Sequence, residues 1–253
     1  MNGIKGKINS IQSLGALDGP GIRFVVFMQG CNLRCGCCHN PDTWKLNTGT
    51  KRTPQSLIRD FERNRQFYRS GGITVTGGEA LMQIDFLLEL FTLARQKKIH
   101  TCLDTSGVTY RPGQSSYNEK LDALMEVTDL VMLDIKHIDP EGHKVLTGHD
   151  NGNILAFAKY LEEKQIPVWI RHVLVPGITD DAALLTRLGT FLGTLSNVKA
   201  LDVLPYHILG VTKYDQLGMA YPLKDVPPAT KEQAANAKKI ILTAYWKQRR
   251  QLQ

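Results

Sequence analysis

The chain is expected to fold as an α/β protein around a parallel sheet. Three observations predict it: short β-branched and aromatic runs recur six times, each is followed by a stretch with helical spacing of apolar residues, and no linker, low-complexity segment or internal repeat interrupts the series. Strands joined this way need crossovers, and crossovers are right-handed. Six βα units are too few to complete an eight-stranded barrel. The expected architecture is therefore a partial (β/α)6 TIM-like barrel, open laterally, with parallel strands and a single domain over residues 1–253.

Taken in order, the first strand is "IRFVVFM" (22–28), a short β-rich apolar run. The amphipathic stretch "PQSLIRDFERNRQFY" follows it. "ITVT" (73–76) is next, with the helical "MQIDFLLELFTLARQKK" behind it, then "IHTCLD" (99–104) with "NEKLDALMEV". "LVMLDI" (130–135) precedes "NILAFAKYLEEKQ", and "VWIRHVLV" (168–175) precedes "DDAALLTRLGTFLG". "ALDVLP" (200–205) is the last strand, and "ATKEQAANAKKIILTAYWKQ" reads as a long closing helix.

With 42% hydrophobic and 22% charged residues, the composition is that of an ordinary globular protein. "MNGIKGKINS" has no apolar signal-peptide core and no run of 18 apolar residues occurs, so a cytoplasmic protein without a membrane segment is expected. In a reducing compartment, clustered cysteines bind metal or do redox chemistry rather than form staples. The net charge of +7 suits an acidic partner, but it is spread thinly; its densest run, "WKQRR", reads as a solvated tail, and nucleic acid is not expected.

Active sites of parallel α/β folds form at the carboxyl ends of the strands, and the unusual residues fall there. Cys31 follows the first strand, "TGGE" (Thr76 to Glu79) closes the second, Asp104 and Thr105 close the third, Asp134 and Lys136 the fourth. Arg171 lies in the fifth, and "PYH" ends the sixth at His207. One site is expected from all six. "GCNLRCGCCHNP" (30–41) carries C-x3-C-x2-C through Cys31, Cys35 and Cys38, with Cys37 as an additional thiol. A zinc site needs four ligands, which His39 or Cys37 would have to complete. An iron–sulfur cubane held by only three thiolates would keep one iron open. Asp134 and Lys136, two apart on a strand, share a face. Asp18 sits in an Asp-Gly-Pro-Gly turn, and Cys102 lies inside an apolar strand as a buried, inert thiol.

The cysteine triplet after the first strand and Gly-Gly-Glu after the second resemble the radical S-adenosylmethionine (SAM) superfamily. Within it, "DGPGIRFVVFMQGC", "CHNPDTW", "TGGEALMQ", "TCLDTSG", "VTDLVMLDIKHI", "KYLEEKQIPVWIRHVLVPGITDD" and "VLPYHILG" resemble the pyruvate formate-lyase activating family, from about residue 5 to about 245. The resemblance implies a [4Fe-4S] cluster on Cys31, Cys35 and Cys38, reductive cleavage of SAM, and hydrogen abstraction from a backbone glycine of pyruvate formate-lyase to give a glycyl radical. It groups Cys37, Cys38, His39, Gly77, Gly78, Glu79, Asp134, Ile135, Lys136, Arg171 and His207 around SAM. It also places a monovalent cation at Asp104, Thr105, the Met132 carbonyl and Asp134, and the partner's glycine loop near Asp18. Where the family carries an aromatic residue this chain has Cys37, which leaves the packing beside the SAM adenine in question. Residues 39–72 contain no cysteine, which implies a single cluster and an external reductant, flavodoxin or ferredoxin, serving a monomer.

Overall fold

A computed structural model describes residues 3–252. They form two compact units, one running through Asn32 and again over Asp42–Met132, the other over Leu33–Pro41 and from Leu133 onward. The first carries β1 (Gly6–Gly15), β2 (Arg23–Met28), β3 (Thr50–Arg52), α1 (Pro54–Arg63), β4 (Gly72–Gly77), α2 (Ile84–Gln96), β5 (His100–Thr105) and α3 (Ser115–Glu126). Strand β6 (Leu130–Asp134) contains the boundary, and the second unit continues with α4 (Pro140–Thr147), α5 (Gly152–Glu163), β7 (Val168–Leu174), α6 (Ala182–Gly193), β8 (Val198–Pro205), α7 (Val211–Gln216) and α8 (Lys231–Gln251).

All eight strands belong to one open sheet in the order β3-β1-β2-β4-β5-β6-β7-β8. The six expected strands are all present, and β2 with β4, β4 with β5, and β7 with β8 pair in parallel. The expectation of parallel strands alone is corrected at one edge. There β1 runs antiparallel to both β2 and β3, so the sheet is mixed. Strand β1, GKINSIQSLG, exposes much of its surface and is built largely of polar residues, which hid it among the loops.

Register levels the strand ends that matter. Met28 of β2 lies opposite Gly77 of β4, and Val75 of β4 opposite Leu103 of β5. In the first unit Leu57 and Phe61 of α1 and Leu87, Leu90 and Phe91 of α2 are buried, each removing enough apolar surface to stabilise the fold by roughly 1.5–3 kcal/mol. In the second unit Gly189 and Gly193 of α6 lie so close to the Ile241 and Tyr245 carbonyls of α8 that a side chain at either would collide with them.

Two helices were not expected. Helix α4 starts with Asp139 accepting the Gly142 N–H at 3.2 Å, has Pro140 in its first turn, and stops at Gly148 with φ 87°. Helix α7 is only six residues long. Among the described residues no helix is long and apolar enough to cross a membrane.

Candidate active site

In the first unit the Gly-Gly-Glu segment continues the ladder beyond β4. Gly78 N–H donates to the Met28 carbonyl at 3.0 Å and Glu79 N–H to the Gly30 carbonyl at 2.8 Å, which binds the segment to the start of the cysteine motif. Gly77 has φ 113°, and a Cβ on Gly78 would strike the Gly30 carbonyl, so both positions require glycine. Cys31 is buried beside them.

Glu79 is 2% exposed, and its carboxylate accepts hydrogen bonds from the Thr105 hydroxyl, the Ser106 hydroxyl at 2.6 Å, the Ser106 N–H at 3.0 Å and the Leu81 N–H at 3.2 Å. Burial pushes its pKa up, and these four bonds only partly oppose the shift. Asp104, also buried, accepts from the Thr76 hydroxyl at 2.6 Å, so Asp104 and Thr105 bond to different neighbours. Met132 is buried in β6, and Cys102 is fully buried as expected. The Asp18 carbonyl accepts the Thr74 hydroxyl at 2.6 Å. Arg23, wholly buried, fixes the same loop by donating to the Pro20 carbonyl at 3.1 Å, the Ile73 carbonyl at 2.8 Å and Thr74 Oγ1 at 2.5 Å.

In the second unit Cys35 and Cys37 are buried and Cys38 is half-buried; none is in a disulfide. Burial raises the Cys37 pKa. Arg34 N–H donates to the Thr147 carbonyl and Gly36 N–H to the Leu146 carbonyl, both at 2.9 Å, while Cys38 N–H reaches the Cys35 carbonyl at 3.1 Å.

Asp134 and Lys136 do share a face, with Lys136 Nζ 2.9 Å from Asp134 Oδ2. Arg171 grips the same carboxylate with two prongs, Nε to Oδ1 and Nη2 to Oδ2, each 3.2 Å. Burial alone would push Asp134 up, but Arg171 and Lys136 hold it well below the usual carboxylate range. Burial likewise opposes the charge on Lys136, and Asp134 overcomes it and raises the ammonium pKa. His172, next along β7, points elsewhere and meets the Ile135 carbonyl at 2.8 Å, and Ile135 N–H donates to the Arg171 carbonyl at 3.0 Å. His39 and His207 stack with ring centroids 4.1 Å apart and 14° between planes. Burial, then the neighbouring His207, lowers the His39 pKa. Among the described residues no three His, Cys, Asp or Glu side chains converge on a single-ion metal site.

The radical SAM superfamily model matches residues 25–187. The chain is 52% identical to the pyruvate formate-lyase-activating enzyme of Streptococcus mutans, over 95% of this chain and 92% of that one. It is 49% identical to the enzyme of the same name from Listeria monocytogenes, over 98% of this chain and 100% of that one. The chain belongs to the radical SAM superfamily, in the pyruvate formate-lyase-activating enzyme family. Solved structures agree on the fold. Streptococcus suis SuiB bound to precursor peptide SuiA gives a TM-score of 0.64 at 18% identity, covering 95% of this chain and 48% of that one. A domain of a pyruvate-formate lyase-activating enzyme from Bacteroides vulgatus gives 0.56 at 24%, covering 70% and 96%.

Membership in this activating-enzyme family implies a [4Fe-4S] cluster and SAM as cofactors. The donor set fits: the motif thiols are not joined in disulfides, and the two glycines let the Gly-Gly-Glu backbone pack against Gly30 beside Cys31. Reading the sequence missed three supporting interactions. One is the grip of Thr105 and Ser106 on Glu79, and another is the support of the cysteine loop by α4. The third is Lys213 Nζ, which donates to Asn40 Oδ1 at 2.7 Å within the motif. For α4 a signal was present, Asp139-Pro140 followed by Gly148; for the others, far apart in sequence, none was.

Proposed function

We propose that the chain is the activase of pyruvate formate-lyase, acting as one radical SAM domain over residues 1–253, as a monomer in the cytoplasm during anaerobic metabolism. The observation that carries this reading is the match to activating enzymes along nearly the whole chain. Cys31, Cys35 and Cys38 would hold the cluster as thiolates, and three thiolates for four irons leave one iron for the amino and carboxylate groups of SAM. When bound and reduced, the cluster would supply the one electron that breaks the sulfonium C5′–S bond of SAM, releasing methionine, and the 5′-deoxyadenosyl group so freed would take the Cα hydrogen of a glycine on the lyase.

The chain's own residues bind, orient and exclude water. The backbone of Gly77 and Gly78 offers an uncluttered edge to the SAM amino group. Glu79, already filled by four internal donors, acts by fixing that backbone rather than by touching SAM. Lys136 and Arg171, held by Asp134, present fixed positive charge to anionic groups of SAM, with Ile135 supplying apolar backing. The His39–His207 stack gives a flat surface, and the Cys37 backbone lies along the same loop without ligating iron. Asp104, Thr105, the Met132 carbonyl and Asp134 are oxygen donors suited to a monovalent cation. Asp18 is the contact for the partner's glycine loop. An acidic flavodoxin or ferredoxin, drawn by the net charge of +7, supplies the electron.

Anaerobic reconstitution followed by iron analysis and product assay tests the reading. The wild-type chain should carry about four irons and release 5′-deoxyadenosine when SAM, a reductant and the lyase are all present. Alanine at Cys31, Cys35 or Cys38 should abolish both. Full iron in any of those three variants would overturn the ligand assignment, and SAM cleavage indifferent to every glycine-bearing partner would overturn the activase reading.

A further inference from the structure

Helix α4 ends against the cysteine loop, and its last carbonyls are used there. The final turn of a helix leaves its C=O groups without intrahelical donors. Here the Leu146 and Thr147 carbonyls accept the N–H groups of Gly36 and Arg34, the residues on either side of Cys35. That helix end is itself locked. His143, fully buried, has Nδ1 2.5 Å from the His149 carbonyl and 3.0 Å from the Thr147 hydroxyl. Thr147 Oγ1 lies 2.8 Å from the His143 carbonyl and takes the His149 N–H at 3.3 Å. A carbonyl at 2.5 Å needs a donor, which puts a proton on Nδ1, while His143 Nε2 is buried without a hydrogen-bond partner. Gly148 closes the turn in the left-handed region, its N–H on the Lys144 carbonyl at 2.8 Å.

We propose that His143 and Thr147 are positioning residues for the iron–sulfur cluster: they lock the carboxyl end of α4, whose carbonyls hold the backbone flanking Cys35 in shape before the cluster arrives. The proposal rests on the reading that Cys35 and Cys38 are cluster ligands. Outer hydrogen bonds of this kind are worth about 10–100-fold in metal retention elsewhere. Neither His143 nor Thr147 is among the residues assigned to SAM or to the cluster, so the lock is expected to act on the loop and not on the chemistry.

The test uses the full chain in two states. In cluster-free protein, hydrogen exchange at the amides of Arg34 and Gly36 is measured; in reconstituted protein, iron release to a ferrous chelator is timed. Thr147→Val and His143→Leu should speed both by about tenfold or more. Thr147→Ser keeps the hydroxyl, and His143→Asn keeps a donor at the Nδ1 position, so both should stay near wild type. Gly148→Ala strains the exposed cap without entering the core, so it carries the test should the buried variants fail to fold; exchange should quicken at the same two amides. Unchanged exchange at Arg34 and Gly36 in folded Thr147→Val or Gly148→Ala overturns the proposal, as does His143→Asn behaving like His143→Leu. Should Cys35→Ala keep its iron, the ligand reading fails separately, and the exchange measurement still reports on the lock.

Discussion

Two carboxylates, one in each unit, follow strands of the sheet and are held in opposite ways. Glu79 is sealed by neutral donors, two hydroxyls and two amides, and burial drives its pKa upward. Asp134 is clasped by two cations, which overcome its burial and drive its pKa downward. The first arrangement spends every lone pair inside the protein and fixes backbone. The second keeps charge at a site whose side chains remain 16–18% exposed, where a charged ligand can meet it. Residues placed alike by the sequence are thus held in opposite ways, and in the proposed function one shapes the site while the other faces the ligand.

The sharpest challenge to this division is Glu79→Ala. It strands four donors in a buried cavity, each unmade bond costing about 1–3 kcal/mol, and should lower stability by about 4 kcal/mol in urea unfolding. A variant as stable as wild type would show that the four-donor seal does not hold the strand ends together. Asp134→Asn leaves Lys136 and Arg171 without their counter-charge, a change of about 3 kcal/mol for partners this buried. It should also weaken SAM binding to the reconstituted protein, measured by calorimetry, by at least about tenfold. Equal SAM affinity in Asp134→Asn and wild type would remove Asp134 from the ligand-facing group.

Acid and base limbs of the stability curve give a subtler contrast. Asp134, depressed in the folded state, contributes stability that is present above its unfolded value near pH 4 and is lost as pH falls below it. Glu79, raised in the folded state, works with the opposite sign: its contribution is greatest below its unfolded value and declines as pH climbs toward the folded one. Unfolding midpoints from pH 2 to 8 should therefore lose acid sensitivity in Asp134→Asn and lose the declining component in Glu79→Gln. The smallest effect is expected at Cys37. Cys37→Ala should leave the iron content unchanged and cost about 1 kcal/mol; loss of iron would make it a ligand after all.

Much of this was legible because parallel strands buried on both faces read as unbroken apolar runs. Phe24–Met28 and Leu130–Leu133 are such runs. Strand β1 escaped notice because Lys7, Asn9, Ser10, Gln12 and Ser13 break any apolar run on a strand with much of its surface in solvent, and its edge neighbour β3 is only three residues long. Helix α4 escaped because Gly142 and two β-branched residues weaken its helical pattern. Gly142 is tolerated there since its backbone lies under the His137 ring, where any side chain would clash. Within the site, the Asp134–Lys136 pair followed from spacing two apart. The seal on Glu79 depends on β4 and β5 meeting in register, and the His39–His207 stack joins residues 168 apart, so neither could be read locally.

The central claim is that this chain moves a hydrogen atom from a glycine Cα of another protein, and isotope substitution at that carbon addresses it most directly. The reconstituted chain, SAM and a reductant would be mixed anaerobically with pyruvate formate-lyase carrying deuterium at glycine Cα, then examined by EPR and mass spectrometry. A glycine-centred radical whose Cα hydrogen splitting collapses on deuteration is expected, with one deuterium in the 5′-deoxyadenosine released. A radical without deuterium transfer, or 5′-deoxyadenosine formed with no radical on the lyase, would contradict it.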